Sequence, residues 1–129
     1  MPRSPARLPG PGEPDVILDV IFEDGVFFLA VANIGPQPAL DVSVEFAKPL
    51  MGLEGTREIS ALPLFRRITF LAPHKTIRAY LDTSASYFAR RNPAIIEATI
   101  SFRDRAGARF ASTVRHDVRI FRELGYVRK

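Results

Sequence analysis

The chain contains two histidines, His74 and His116, and no cysteine. A metal centre needs several His, thiolate or carboxylate ligands converging within a few ångströms. His74 falls in a turn and His116 in the middle of a strand-like run on its inward parity, so the two are not expected to converge. His74 reads as solvated and His116 as partly buried and hydrogen-bonded. Glu23 and Asp24 make an acidic pair at a turn, and Asp82 joins them only if the fold brings it near. No EF-hand spacing follows them, so a solvated turn is the reading ahead of a calcium loop. No Gly-x-Ser-x-Gly elbow occurs, and Ser84 and Ser86 have no histidine beside them in sequence, which leaves nucleophilic catalysis without a base. No carboxylate pair is marked for acid-base work, and no glycine-rich loop is available to cradle phosphate. The expectation is a non-enzymatic protein with no cofactor and no metal.

Two surfaces carry residue types suited to recognition. Tyr87, Phe88, Arg90 and Arg91 follow one another closely, and the loop with Met51 and Arg57 is expected to lie at the same end of the fold. Aromatic and arginine side chains are the anchors that dominate binding energies, so this loop end is the first candidate for a protein partner. The competing reading has Phe88 plugging the end of the core while the arginines are merely solvated. The alternative surface is basic: Arg109, Arg115 and Arg119 share one parity of the last run, with Arg105 in the adjoining turn. Such a row could hold an anionic ligand or a nucleic-acid backbone. It lacks the exposed aromatics that stack bases, since Tyr80 is the one neighbour and there is no tryptophan.

Charge is distributed unevenly behind the net +4. Residues 13–58 carry −7, residues 59–129 carry +9, and residues 1–12 add +2. Two readings follow: early and late strands lying side by side with cross-strand pairing, or a basic face awaiting phosphate or carboxylate. No run of about 18 apolar residues is present for a membrane helix. Residues 1–14 hold five prolines and two glycines and no apolar segment of the secretory type. They read as a disordered, partly polyproline-like leader, with a Pro2-x-x-Pro5 ligand motif as a side possibility. The absence of a signal and of cysteine favours the cytoplasm.

The elements that must position these residues repeat one grammar. Val16, Leu18, Val20 and Phe22 share one face of the first run, while Ile17 and Ile21 sit among Asp15, Asp19 and Glu23 on the other. That half-apolar outer face of the first strand is a candidate for covering by a second subunit. Glu23-Asp24-Gly25 supplies a turn into residues 26–33, a central strand with Phe27, Leu29 and Val31 inward. Residues 40–46 alternate, with Leu40, Val42, Val44 and Phe46 inward. Residues 47–63 form a long connection in which 58–62 could add a short strand. Residues 64–71 and 76–82 are strands about the turn Ala72-Pro73-His74-Lys75, and 83–91 is one or two helical turns capped by Thr83 or Ser84, or an ordered loop. Residues 94–102 place Ile96, Ala98, Ile100 and Phe102 inward, and the final strand over 108–121 places Phe110, Val114, Val118 and Ile120 inward.

The corner between the second and third runs, Asn33-x-Gly35-x-x-Pro38-Ala39 followed by Asp41-Val42, resembles that of small immunoglobulin-like modules related to CARDB and fibronectin type III domains. The Leu71-x-Pro73 turn and the Phe102-Arg103-Asp104-x-x-Gly107 hairpin are similar to features of the same modules, which commonly have glycine where His74 stands. The resemblance implies an all-β, immunoglobulin-like two-sheet Greek-key sandwich of about seven strands over residues 15–122, with a flexible end over 123–129. Related domains hang from larger or membrane-bound chains, so a tethered accessory role is a further implication.

Overall fold

The computed structural model describes residues 6–122; residues 1–5 of the leader and the end over 123–129 lie outside the described residues. The chain is all-β in its main architecture. In order it forms β1 (Val16–Glu23), β2 (Val26–Asn33), β3 (Ala39–Phe46), β4 (Met51–Gly52), β5 (Arg57–Glu58), a 3-10 turn (Ile59–Ala61), α1 (Pro63–Arg66), β6 (Ile68–Leu71), β7 (Thr76–Thr83), α2 (Ser84–Ala89), β8 (Ile95–Arg103), β9 (Arg109–Asp117) and a last 3-10 turn (Val118–Phe121). These strands make a three-stranded sheet in the order β1-β2-β7, a four-stranded sheet in the order β6-β3-β8-β9, and the small hairpin β4-β5. Every ladder between named strands is antiparallel.

Period-two patterning decides which faces meet. Val16, Leu18 and Val20 from β1 and Phe27, Leu29 and Val31 from β2 join Ile96, Ala98, Ile100 and Phe102 from β8 in one apolar core. Burying each such side chain contributes roughly 1.5–3 kcal/mol, so this shared interior dominates stability. Between β1 and β2 a two-residue turn, Asp24-Gly25, has both φ values positive, 52° and 78°. That handedness matches the twist of the flanking strands. In the turn before β7, His74 takes φ 62° after Pro73, and Lys75 N donates to Ala72 O at 3.2 Å. His74 thus occupies the left-handed position usually given to glycine in a turn with proline at its first corner.

The β2–β3 corner is built on Asn33, which is fully buried. Its Oδ1 accepts from Asp15 N (3.1 Å) and Gly35 N (3.0 Å), and its Nδ2 donates to Gln37 O (2.7 Å) and Leu71 O (3.1 Å). One amide therefore ties the starts of β1 and β3 to the end of β6. Gly35 is required for space, not handedness: a Cβ there would stand 2.3 Å from Glu13 O.

Four expected elements are corrected. Leu40 does not face inward, because a bulge at Asp41 (φ 51°) breaks the alternation and Ala39 takes the core position instead. The strand expected over 64–71 begins only at Ile68; Pro63 starts a helical turn that drives Phe65 into the core against Phe46, ring centroids 5.0 Å apart. In the long connection, the strand that 58–62 could have added is limited to Arg57–Glu58, and Ile59 is buried in a 3-10 turn instead. The last ladder stops at Asp117, whose carboxylate caps the turn that buries Val118 and turns Ile120 outward, 67% exposed.

Residues 6–14 do not run free as a detached leader. Arg7 N donates to Arg109 O and Ala111 N to Arg7 O, both at 3.1 Å, so Arg7 makes a parallel bridge on the β9 edge. The Arg7 guanidinium lies 4.8 Å from the Phe110 ring centroid and pairs with Glu13, which also accepts from Gly10 N. The Arg7 partner holds the Glu13 carboxyl down to about 2. Prolines that remove donors are tolerated here because the link from Pro9 to Pro14 carries the chain from one sheet to the other outside any ladder.

Candidate functional site

The β4-β5 hairpin is laid against β7 by a close backbone approach. A Cβ on Gly52 would stand 2.1 Å from Leu81 O, and Leu53 N donates to that carbonyl at 3.0 Å. The hairpin tip then runs through three consecutive positive φ values, Leu53 at 51°, Glu54 at 59° and Gly55 at 83°. A bulky residue in this region costs roughly 1–2 kcal/mol and persists only when its surroundings over-determine it. Here Thr56 N and Oγ1 both donate to Leu53 O, Gly55 N donates to Gly52 O, and Glu54 N donates to Asp82 Oδ1 at 3.3 Å. The Leu53 side chain is 43% exposed.

Asp82 beneath this tip is fully buried. Its Oδ1 also accepts from Thr83 N at 2.9 Å, while its Oδ2 has no partner among the described residues. At the next residue, Thr83 Oγ1 caps α2 by accepting from Ser86 N at 3.2 Å. The cap sets the helix phase so that Tyr87 points inward. Its hydroxyl donates to Pro93 O at 2.6 Å, and burial pushes the phenol above its ordinary range.

The two long connections do meet. The Asn92 side chain accepts from Met51 N (3.0 Å) and donates to Met51 O (2.9 Å), which clamps the segment after α2 to β4. Arg90 packs over Gly55 and donates to Ser86 Oγ at 3.3 Å. Phe88 is half-buried, 5.8 Å from Phe27, with the Arg122 guanidinium 4.6 Å above its ring. Arg57, Arg90 and Arg91 are exposed and Met51 is half-buried. Five of the six expected contact residues therefore share an accessible end, and the sixth does not. Tyr87 is 0% exposed and is a core plug, the part expected of Phe88. Leu53 carries no sign in the sequence, since a leucine before Glu-Gly at a hairpin tip does not announce left-handed backbone; Asp82, weighed as a calcium ligand beside Glu23 and Asp24, instead accepts from Glu54 N and Thr83 N and ties the hairpin tip to β7.

The basic alternative divides differently. Arg109 and Arg115 are exposed on the outer face of β9, and Arg105 is exposed in the β8-β9 turn. Arg119 lies beyond the ladder, where Nε and Nη2 donate to Asp117 at 2.9 and 2.7 Å. That pairing holds the Asp117 carboxyl down to about 2 and removes Arg119 from the row. Beside Arg105 a cleft of about 260 Å³ is lined also by Glu13, Gln37 and Asp104, so both signs of charge face it. Asp41, at the β3 bulge, bonds Arg103 Nε (2.7 Å) and Arg67 Nη2 (2.7 Å), and these cations lower its carboxyl. Glu23 pairs with Arg78 at 3.2 Å. Part of the sequence charge dipole is thus cross-strand complementation.

His116 Nε2 lies 2.7 Å from Leu18 O, a bond across the seam between β9 and β1. Among the described residues no group of three or more His, Cys, Asp or Glu is placed to hold a metal ion. No helix among them is long and apolar enough to cross a membrane.

Neither the curated proteins nor the solved structures include a match to this chain. A family model described as a domain of unknown function, DUF8453, matches residues 11–122. Since that match runs from the leader loop through the turn after β9 and takes in nearly all of the chain, the protein belongs to the DUF8453 family.

Proposed function

We propose that this domain is a non-enzymatic protein-recognition module of the immunoglobulin-like sandwich type, and that its contact surface is the loop end made by the β4-β5 hairpin and the segment after α2. The fold part of the reading is supported by the chain path. It crosses between the two main sheets at β2-β3, β6-β7 and β7-β8, and places β6 beside β3 on the four-stranded sheet, as Greek-key sandwiches of the fibronectin type do. The observation that carries the functional part is the Asn92 clamp on Met51 together with the pinned, exposed Leu53. A strained apolar knob held by five hydrogen bonds, with Arg57, Arg90 and Arg91 nearby, has the composition of a binding anchor with a cationic rim. Charge reversal of Arg90 and Arg91 to Glu, with partner recovery followed by pull-down, is the test, and unchanged recovery retires this surface. Leu53→Gly separates recognition from folding. It relieves a left-handed leucine, so thermal stability holds or rises by about 1 kcal/mol while recovery falls.

The second reading, an anion or nucleic-acid binder, rests on unpaired charge. Asp41 already neutralises Arg103, but Arg109 and Arg115 stand exposed on the outer face of β9 with no ion-pair partner among the described residues, and an extended anion could bridge them. Retention on heparin that falls steeply with salt supports it, and elution at low salt argues against it.

A further inference from the structure

The outer face of the β1-β2-β7 sheet is organised in cross-strand rows. Ile21, Phe28 and Tyr80 form one row; Asp19, Ala30 and Arg78 form the next; Ile17, Ala32 and Thr76 form the third. Tyr80 is 41% exposed, Ile17, Ile21 and Phe28 are half-buried, and Asp19 and Arg78 are exposed. Phe28 and Tyr80 meet edge to face with centroids 6.0 Å apart, and the Arg78 guanidinium lies 4.4 Å from the Phe28 centroid. The acid of the middle row stands on one edge strand and the base on the other, with a small alanine between them. Asp19 has no ion-pair partner among the described residues, whereas Arg78 Nη2 pairs with Glu23 of its own chain at 3.2 Å, an exposed pair that a second carboxylate can share.

We propose that this face is a two-fold self-association surface on which a second copy of this chain docks with its β1 over β7. A two-fold axis along the strands lays β1 of one copy across β7 of the other while keeping each row level. Asp19 then faces Arg78 of the second copy, and Arg78 faces its Asp19, so one contact type is made twice, as isologous interfaces require. The same operation sets Ile21 against Tyr80 and Phe28 against Phe28, an aromatic centre flanked by two charge pairs. The other in-plane two-fold, perpendicular to the strands, sets β1 on β1 and Asp19 against Asp19, which like-charge repulsion disfavours. Three strands of eight residues present roughly 370 Å² per copy at ordinary strand spacing and rise. That is well below the ~800 Å² per partner of a stable complex, so the dimer is transient and concentration-dependent.

Sedimentation equilibrium and 15N chemical-shift dilution series on the full chain test this. The wild type is expected to show a monomer–dimer equilibrium with shifts concentrated on the outer face of β1, β2 and β7. Asp19→Arg alone and Arg78→Asp alone each weaken association tenfold or more. Mixing the two variants restores it, because every contact in the mixed pair is again between opposite charges. Both residues are exposed, and retained far-UV circular dichroism verifies folding. A wild type monomeric up to the millimolar range overturns the proposal, as do shifts centred on β9 or the loop end, or a mixture that associates no better than the single variants. Recognition of another protein by the loop end is read separately, because neither variant touches Leu53, Arg90 or Arg91.

Discussion

Replacing Asn33 by alanine removes four hydrogen bonds at once and leaves four backbone groups without their partner. Two of those bonds, to Gly35 N and Leu71 O, are wholly buried, and each orphaned group there costs about 1–3 kcal/mol. The bonds to Asp15 N and Gln37 O are partly buried, so water recovers some of their loss, and about 0.5–1 kcal/mol each is a fair figure. The total is roughly 3–8 kcal/mol, a large share of the ~5–15 kcal/mol that holds a domain folded. Asn33→Asp retains both acceptor bonds but turns a carboxylate oxygen toward two carbonyls. Burial and those carbonyls raise the folded pKa of this aspartate above its unfolded value near ~4. The variant is therefore penalised most at neutral pH and recovers stability as the pH falls through the folded pKa toward the unfolded one. Urea denaturation followed by circular dichroism at pH 7 and pH 4 measures both effects. An alanine variant that loses less than about 1 kcal/mol, or an aspartate variant indifferent to pH, refutes the keystone role.

Glu13 should titrate near 2 in a carboxyl-resolved NMR titration, and Arg7→Ala should move it up toward the ordinary 4.5, the remaining Gly10 N–H bond still holding it below that value. Because its folded pKa is depressed, its contribution to docking the leader is complete above the ordinary value and fades as pH falls through about 2; a wild-type midpoint near 4.5 contradicts the pairing. Asp82→Ala strips acceptors from Glu54 N and Thr83 N and should destabilise by about 1–3 kcal/mol, with faster amide exchange at the hairpin tip. Asp82→Asn keeps that acceptor and replaces an oxygen that has no partner, so a loss above about 1 kcal/mol in denaturant melts counts against this account.

The strands with sustained alternation were legible from residue spacing. β1 and β8 follow period-two spacing bounded by turn chemistry, β7 follows it as far as Leu81, where a bulge against Phe27 and Phe28 buries Asp82 as well, and Asp24-Gly25 declares its hairpin. Leu40 was misplaced because a bulge inserts one residue and flips parity, and nothing local distinguishes Asp41 from any other outward acid. Val118 and Ile120 continue the apolar period past Asp117, yet a capping aspartate competes with the ladder and wins. At the loop end, the meeting of two distant connections followed from strand direction. Which of Tyr87 and Phe88 faces inward depended on helix phase, which Thr83 sets three-dimensionally. The left-handed Leu53 depends on Leu81 and Asp82, about thirty residues away, and a pattern reading has no access to that.

The bonds from Arg7 to β9 and from His116 to β1 occupy two neighbouring sheet borders on the same flank of the molecule. Unpaired borders are where one protein templates the next in runaway stacking. A growing stack needs two sticky ends per unit, and here the 109–111 stretch of one of them is already taken up by the chain's own Arg7. A strand arriving on that stretch must first displace it, as a competitor must displace a bound ligand.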